Sequence, residues 1–270
     1  MKGLSRLLFY TMQQLNVQEM KLIQPFYEKS NDSTIYACLD GYMGKAFVDD
    51  KESIRHVVIL QGDFVFPSNL KEFHEDTAKN MIDDLLSYKE KDQILIIPQT
   101  KEWEEFLKRE ERFESFLRYH FKRPVYEQFN PVKLGEFCRK LPIEYSFHRI
   151  DETLYDRVMS EDWSRDFCGN FNSRDDFFKY GIGFLIMKGE EICGGASSYT
   201  AYKKGIEIEI VTKKEFRNIG LATACGAKLI LTCLEEGKLP HWDAANETSV
   251  RLAMRLGYDY EGPYNTYCFK

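Results

Sequence analysis

No stretch of 18 consecutive apolar residues occurs in the 270-residue chain, so a membrane-spanning helix is not expected. The amino end, MKGLSRLLFYTMQQLN, carries two positive charges but only a four-residue apolar run. That run is too short for a secretory leader, and no small-x-small cleavage site follows. Excess positive charge is also missing: 37 Lys and Arg stand against 43 Asp and Glu, a net charge of −6. Neither nucleic acid nor an anionic membrane is therefore an expected general partner, since both need clustered cations. Histidine is scarce, and His56, His74, His120, His148 and His241 never fall at HxxH or HxxxH spacing, so no metal site is expected. The seven cysteines are odd in number and include no CxxC pair, which fits free thiols in a reducing cytoplasm. No GxSxG elbow, no local Cys–His signature and no internal repeat is present.

The 43% apolar and 30% charged fractions are those of a globular chain, long enough for one large domain or two ordinary ones. Its clearest local pattern is GIEIEIVT at 205–212, where Ile206, Ile208 and Ile210 alternate with Glu207, Glu209 and Val211. A period of two with β-branched residues predicts a strand. LATACGAKLILTCLEEG at 221–237 then predicts a mostly buried helix, its polar stripe confined to Lys228, Thr232 and Glu235. Between them, Gly220 and Ala222 keep bulk away from a helix start. The unpaired N–H groups and positive dipole end there suit a phosphate.

The remaining elements follow from similar signals. In the first half an amphipathic helix is expected over 16–29, interrupted by Pro25, and a short helix within SNDSTIYACLDG. Strands are expected within 44–50 and 54–67, a helix over 74–92 and a buried strand over 93–99. Residues 101–121 predict one long helix or two short ones, 123–130 another strand, and 131–141 a helix opening on Pro131. CRKLPIEYSF (138–147) is the expected boundary, giving domains at 1–140 and 141–270 packed without a floppy linker. The second half reads strand, helix, loop with a short helix, three strands, the helix at 221–237, a strand at LPHWDAA, a helix from Asn246 to Gly257, and a final hairpin in YDYEGPYNTYCFK.

This order, with Arg217-Asn218-Ile219-Gly220-Leu221-Ala222 in the form (Arg/Gln)-x-x-Gly-x-(Gly/Ala) and Asn246 leading a short helix to Gly257-Tyr258, resembles the GNAT N-acetyltransferase superfamily over about 142–270. The whole chain, including P-x-W-D-x-x-N at 240–246, is similar to a bacterial two-domain GNAT-like group. The resemblance implies an α/β (α+β) fold with a mixed, mostly antiparallel twisted sheet flanked by helices. A second α/β domain precedes it, either a degenerate GNAT-like half or an unrelated one, with a structural, substrate-shaping or dimer-forming role. A homodimer thus stays among the expected partners.

It further implies acetyl-CoA as co-substrate and a small-molecule primary amine as acceptor. Main-chain groups of Ile210, Val211 and Thr212, beside a strand bulge, would meet the pantetheine arm. The amides of Arg217, Asn218, Ile219, Gly220, Leu221 and Ala222 would hold the diphosphate, with Asn246 and Ser249 as further contacts and Thr223 as a weaker one. A substrate ammonium must lose a proton before it attacks, and Glu207 or Glu209 is the expected base or ammonium binder, Glu209 being nearer the expected bulge. Arg165, Asp166, Arg174, Asp175 and Asp176 are specificity candidates. The family's usual proton-donating Tyr is replaced by Ala253. Besides a transferase, a non-catalytic protein that binds or senses CoA, or a scaffold with a vestigial loop, is compatible with these residues.

Overall fold

The computed structural model describes residues 12–87 and 94–270. From the amino end the strands and helices are β1 (Gln13–Gln14), α1 (Ser33–Leu39), β2 (Lys45–Val48), β3 (His56–Gln61), β4 (Phe64–Asn69), α2 (Glu75–Ser87), β5 (Leu95–Ile96), α3 (Lys101–Arg109), β6 (Phe113–Phe121) and α4 (Pro131–Arg139). They continue as β7 (Ser146–Arg149), α5 (Glu152–Ser160), α6 (Arg174–Tyr180), β8 (Gly183–Lys188), β9 (Glu191–Tyr202), β10 (Gly205–Thr212), α7 (Leu221–Glu235), β11 (Leu239–His241), α8 (Glu247–Leu256) and β12 (Tyr260–Phe269). Among the described residues one sheet runs β1-β2-β3-β4-β5-β12-β6 and the other β11-β10-β9-β8-β7. The second is antiparallel except for the β10–β11 pair. This is the expected α/β class, with mixed sheets flanked by helices. No helix among the described residues is long and apolar enough to cross a membrane.

The chain divides into two compact units. One comprises Met1–Ser30, Gly44–Ser115 and Thr266–Lys270; the other comprises Asn31–Met43 and Phe116–Asn265. The expected division at 140/141 coincides with none of these crossings. α1, most of β6 and α4 belong to the unit that carries the Arg217–Ala222 loop. The first unit is built on Val58, Val65, Met81, Ile82, Trp103 and Phe106. The second is built around α7, whose Ala224, Cys225, Ala227, Leu229 and Ile230 are buried with Leu185, Ala196 and Ile206 of the sheet. A helix apolar on nearly all sides must be covered on all sides, and α4 packs on α7 together with the sheet.

Several expectations are corrected. Residues 113–121 form strand β6. Phe113, Phe116, Leu117 and His120 satisfy a helical period while Phe113, Leu117, Tyr119 and Phe121 satisfy a strand period, so pairing to distant chain decides between them. Residues 123–130 make a 3-10 turn, Tyr126–Gln128, because the Gln128 side chain reaches back to accept from the Val125 N–H at 2.9 Å. The carboxyl end is one strand, β12, which takes its neighbours from β5 and β6 and does not fold on itself at Gly262–Pro263. The expected helix over 16–29 is two 3-10 turns, Val17–Leu22 and Gln24–Tyr27, the first capped by Asn16 and Glu19. Residues 1–11 of the amino end, which are not expected to form a secretory leader, the end of the expected helix at 88–92 and the start of the expected strand at 93 lie outside the described residues.

β10 is the strand that positions the site. It pairs with β9 along its length but with β11 only at Gly205, Ile206 and Glu207. Gly205 permits this start, since a Cβ there would collide with the Leu239 carbonyl oxygen of β11. Gly205→Ala should destabilise the protein by about 3 kcal/mol, read from the urea midpoint, by forcing the parallel pair apart. An unchanged midpoint would mean that the close approach does not hold the pair.

Candidate functional site

Past Glu207 the two parallel strands part, and a cleft of about 750 Å³ opens beside β10. Its walls are the end of β10, the loop into α7, the first turn of α7, and one face of α8. Lys213 N–H donates to the Cys193 carbonyl of β9 at 2.9 Å. By strand alternation Val211 shares that inner edge, while Ile210 and Thr212 turn their main chain to the open one. Val211 nonetheless lines the cleft. Thr212 O accepts from Arg217 Nε at 3.0 Å, which ties the loop to the strand end.

Asn218 has φ +67° and Gly220 φ +91°. Such left-handed residues curl successive N–H groups toward one side, the arrangement of an anion-binding nest. Gly220 also caps α7, whose first N–H groups have no intrahelical acceptor. A Cβ built on Gly220 would meet nothing within 4 Å, so open space adjoins the loop. Arg217, Asn218, Gly220, Leu221 and Ala222 line the cleft, as does Thr223. Ile219 does not belong to its lining and is exposed.

On α8, Asn246 Oδ1 accepts from Ser249 N–H at 3.0 Å, the cap expected of it. Ser249 lines the cleft, but its hydroxyl already accepts from Trp242 Nε1 at 3.0 Å. Thr248, Arg251, Leu252 and Arg255 complete that wall, at the spacing of one helical face. Sequence reasoning passed over them, although Arg251 and Arg255 at i, i+4 beside a capped start were a legible signal. Ala253 is fully buried on another face of α8.

The two glutamates of β10 part company. Glu207 is buried at the last paired position, and both its oxygens are taken: Ser33 Oγ donates at 2.5 Å and Asp243 N–H at 2.7 Å. Its side chain thus supplies the acceptor for a backbone amide just beyond the end of β11. Burial, with Asp32 and Asp243 nearby, raises its pKa well above the ordinary carboxylate range. Asp243 is itself held by Arg118 Nη2 at 2.5 Å and by the Tyr264 hydroxyl at 2.8 Å. Tyr264 stacks on His120, centroids 3.7 Å apart. Asp32, Ser33, Arg118 and Tyr264 come from distant chain, and no local pattern announced them.

Glu209 is half-buried, and no side chain among the described residues bonds its carboxyl. Burial pushes it up to about 7; Asp166 adds to the rise, while Arg118 and the Ile210 N–H oppose it. The register of β10 on β9 shifts between Glu207 and Ile208, so the bulge adjoins Glu207, not Glu209 as expected. Of the loop candidates, Arg174 is engaged by Asp156 at 3.1 Å and Glu152 at 3.4 Å, and Arg165 by Asp162 at 3.5 Å.

A mixed sheet whose two parallel strands fork over a glycine-cornered helix start defines a GNAT-type α/β protein. The chain belongs to the GNAT acetyltransferase family, which it matches over residues 24–267. It is 32% identical to a GCN5-related N-acetyltransferase-like protein from Streptococcus suis 89/1591, with 94% of this chain and 99% of that one covered at a TM-score of 0.83. A tandem GNAT protein from the clavulanic acid biosynthesis pathway shares the fold at 9% identity and TM-score 0.60, with 95% and 98% covered. An uncharacterized N-acetyltransferase of Bacillus subtilis (strain 168), YdfB, is 29% identical over 130 residues, 47% of this chain and about half (49%) of that protein.

The linkage of Glu207 to stability has a definite sign. A raised pKa in the folded state gives stabilisation that is complete below the unfolded value, near 4.5, and is lost as pH rises through the folded value. Glu207→Gln keeps an acceptor oxygen without a charge. Its Tm should fall less than wild type's between pH 5 and 9 in thermal denaturation. Parallel curves would mean that the carboxyl does not titrate across the fold.

Proposed function

We propose that the protein transfers an acetyl group from acetyl-CoA to a primary amine of a small molecule, with Glu209 as general base. The observation that carries the proposal is the fork itself: β10 leaves β11 beside a loop whose amides border open space. That space fits a diphosphate, since only a hydrogen projects from Gly220 and Asn218 and Gly220 both adopt left-handed backbone. The Arg217–Ala222 amides would hold the diphosphate. The open edge at Ile210 and Thr212 would pair with the amides of the pantetheine arm, with Val211 as a side-chain contact and Asn246 and Ser249 at the rim. Bound acetyl-CoA supplies an acetyl group activated as a thioester.

The chain's own residues then have to deliver a neutral amine. An amine with a pKa near 10 is almost wholly protonated at neutral pH. Glu209, raised to about 7, is ionised in part there and basic enough to take the proton, directly or through water. Glu207, with both oxygens engaged, is assigned to hold the fork together. The thiolate product, with a pKa near 8.5, takes its proton from water, because Ala253 offers none. The buried Ala253 favours a second reading, a protein that binds CoA without turnover.

Free-thiol release across an amine panel separates the two: release supports the transferase, and a thermal shift with acetyl-CoA but no release supports the second reading. A base must be deprotonated, so kcat/KM should fall as pH drops through about 7. Glu209→Gln should lose about 100-fold in kcat and that acid limb with it. Full turnover by this variant at every pH would refute the assignment. Gly220→Glu, which combines a strained φ with a carboxylate at the anion seat, should abolish the acetyl-CoA thermal shift.

A further inference from the structure

In a chain of net charge −6, the cleft wall is charged in one sense only. Its charged lining residues are Arg217, Arg251 and Arg255, and no Asp or Glu among the described residues lines it. Arg217 belongs to the loop and is braced on Thr212. The other two lie on α8, four residues or about 6 Å apart along the helix. Arg251 leans on Glu247 at 3.6 Å and on Thr248 Oγ1 at 3.0 Å. Arg255 makes no hydrogen bond or ion pair among the described residues. The diphosphate seat at the loop does not call for these two guanidinium groups, because main-chain amides and the α7 dipole already face it. Two further cations on the α8 wall of the same cleft suit a second, separate anionic group on the same ligand.

We infer that the α8 face bearing Arg251 and Arg255 is a phosphomonoester subsite, which selects CoA by its 3′-phosphate over forms that lack it. The inference rests on the CoA reading above. The 3′-phosphate hangs from the same ribose as the 5′-diphosphate, so a ligand seated on the loop presents it to a neighbouring wall. A guanidinium offers paired N–H donors matched to phosphate oxygens, and Arg255 has its whole donor set to give. Arg251 must share its donors with Glu247 and Thr248, so Arg255 carries the larger part. Both side chains are exposed, so the attraction is screened by salt.

The test is calorimetric titration of the full chain with CoA and with 3′-dephospho-CoA, for wild type, Arg255→Gln, Arg255→Glu and Arg251→Gln. Wild type should prefer CoA by about tenfold, the order expected of one charge-assisted contact. Arg255→Gln should erase most of that preference by weakening CoA, while its affinity for 3′-dephospho-CoA stays within twofold of wild type. Arg255→Glu should invert the preference, and Arg251→Gln should reduce it less. Raising salt from 50 to 500 mM should shrink the preference in wild type and leave the Arg255→Gln ratio where it is. Binding of both ligands within twofold by wild type overturns the subsite while the CoA reading stands. Binding of neither overturns that reading and the subsite together. A parallel loss for both ligands in Arg255→Gln shows a structural role for the arginine and also overturns the subsite.

Discussion

Everything distinctive in the second unit depends on a parallel strand pair that is allowed to form for three residues and then is prevented from continuing. A sheet edge left open inside a fold is costly unless its amides find other acceptors. The Glu207 side chain meets this need at the fork by accepting the Asp243 N–H where the strand ladder has ended. Ser33 Oγ closes on the other oxygen, so α1 is tied to the same point. The cleft is therefore a consequence of where pairing stops, and pairing stops where a carboxyl takes over from a carbonyl.

That substitution brings acidic groups into close quarters. Burial, and after it the charge of Asp243, raises the cost of ionising Asp32; burial, Asp32 and Asp243 raise that of Glu207. Arg118 is the compensating cation: Asp243 and Tyr264 keep it charged although burial opposes this. The same guanidinium acts on Glu209 against Asp166, so one residue of β6 links the structural carboxyls to the proposed catalytic one. Glu207 and Glu209, two positions apart on a strand face, thus acquire different chemistry from what surrounds them: one has both oxygens occupied, and the other has no side-chain partner among the described residues.

The compact units cut across chain order. Asn31–Met43 leaves the first unit's sequence to place α1 against β9 and β10, and β6 and β12 each pass from one unit into the other. Ser33 and Arg118, which shape the surroundings of the glutamates, are thus contributed by sequence that precedes residue 140. A boundary read from composition finds where local signals change; it does not find where tertiary contacts are shared.

How much was legible follows from the range of the forces involved. The alternation of 205–212, the apolar helix after it, the Asn246 and Gly257 stops of α8, and the glycine at the head of α7 are fixed by neighbours a few residues away, and each stands where the sequence put it. Ambiguous segments failed for the same reason: FESFLRYHF satisfies two periods, and the final strand contains a Gly-Pro that marks a turn only if no partner strand lies ahead. The sequence alone determined the backbone corner and the residue types available for chemistry, because propensity, capping and left-handed glycine are local properties. Only the tertiary structure decided which glutamate is tied up and which has no side-chain partner among the described residues, and that the α8 arginines line the same cleft as the loop. Burial, hydrogen-bond partners and neighbouring charge come from residues far apart in the chain.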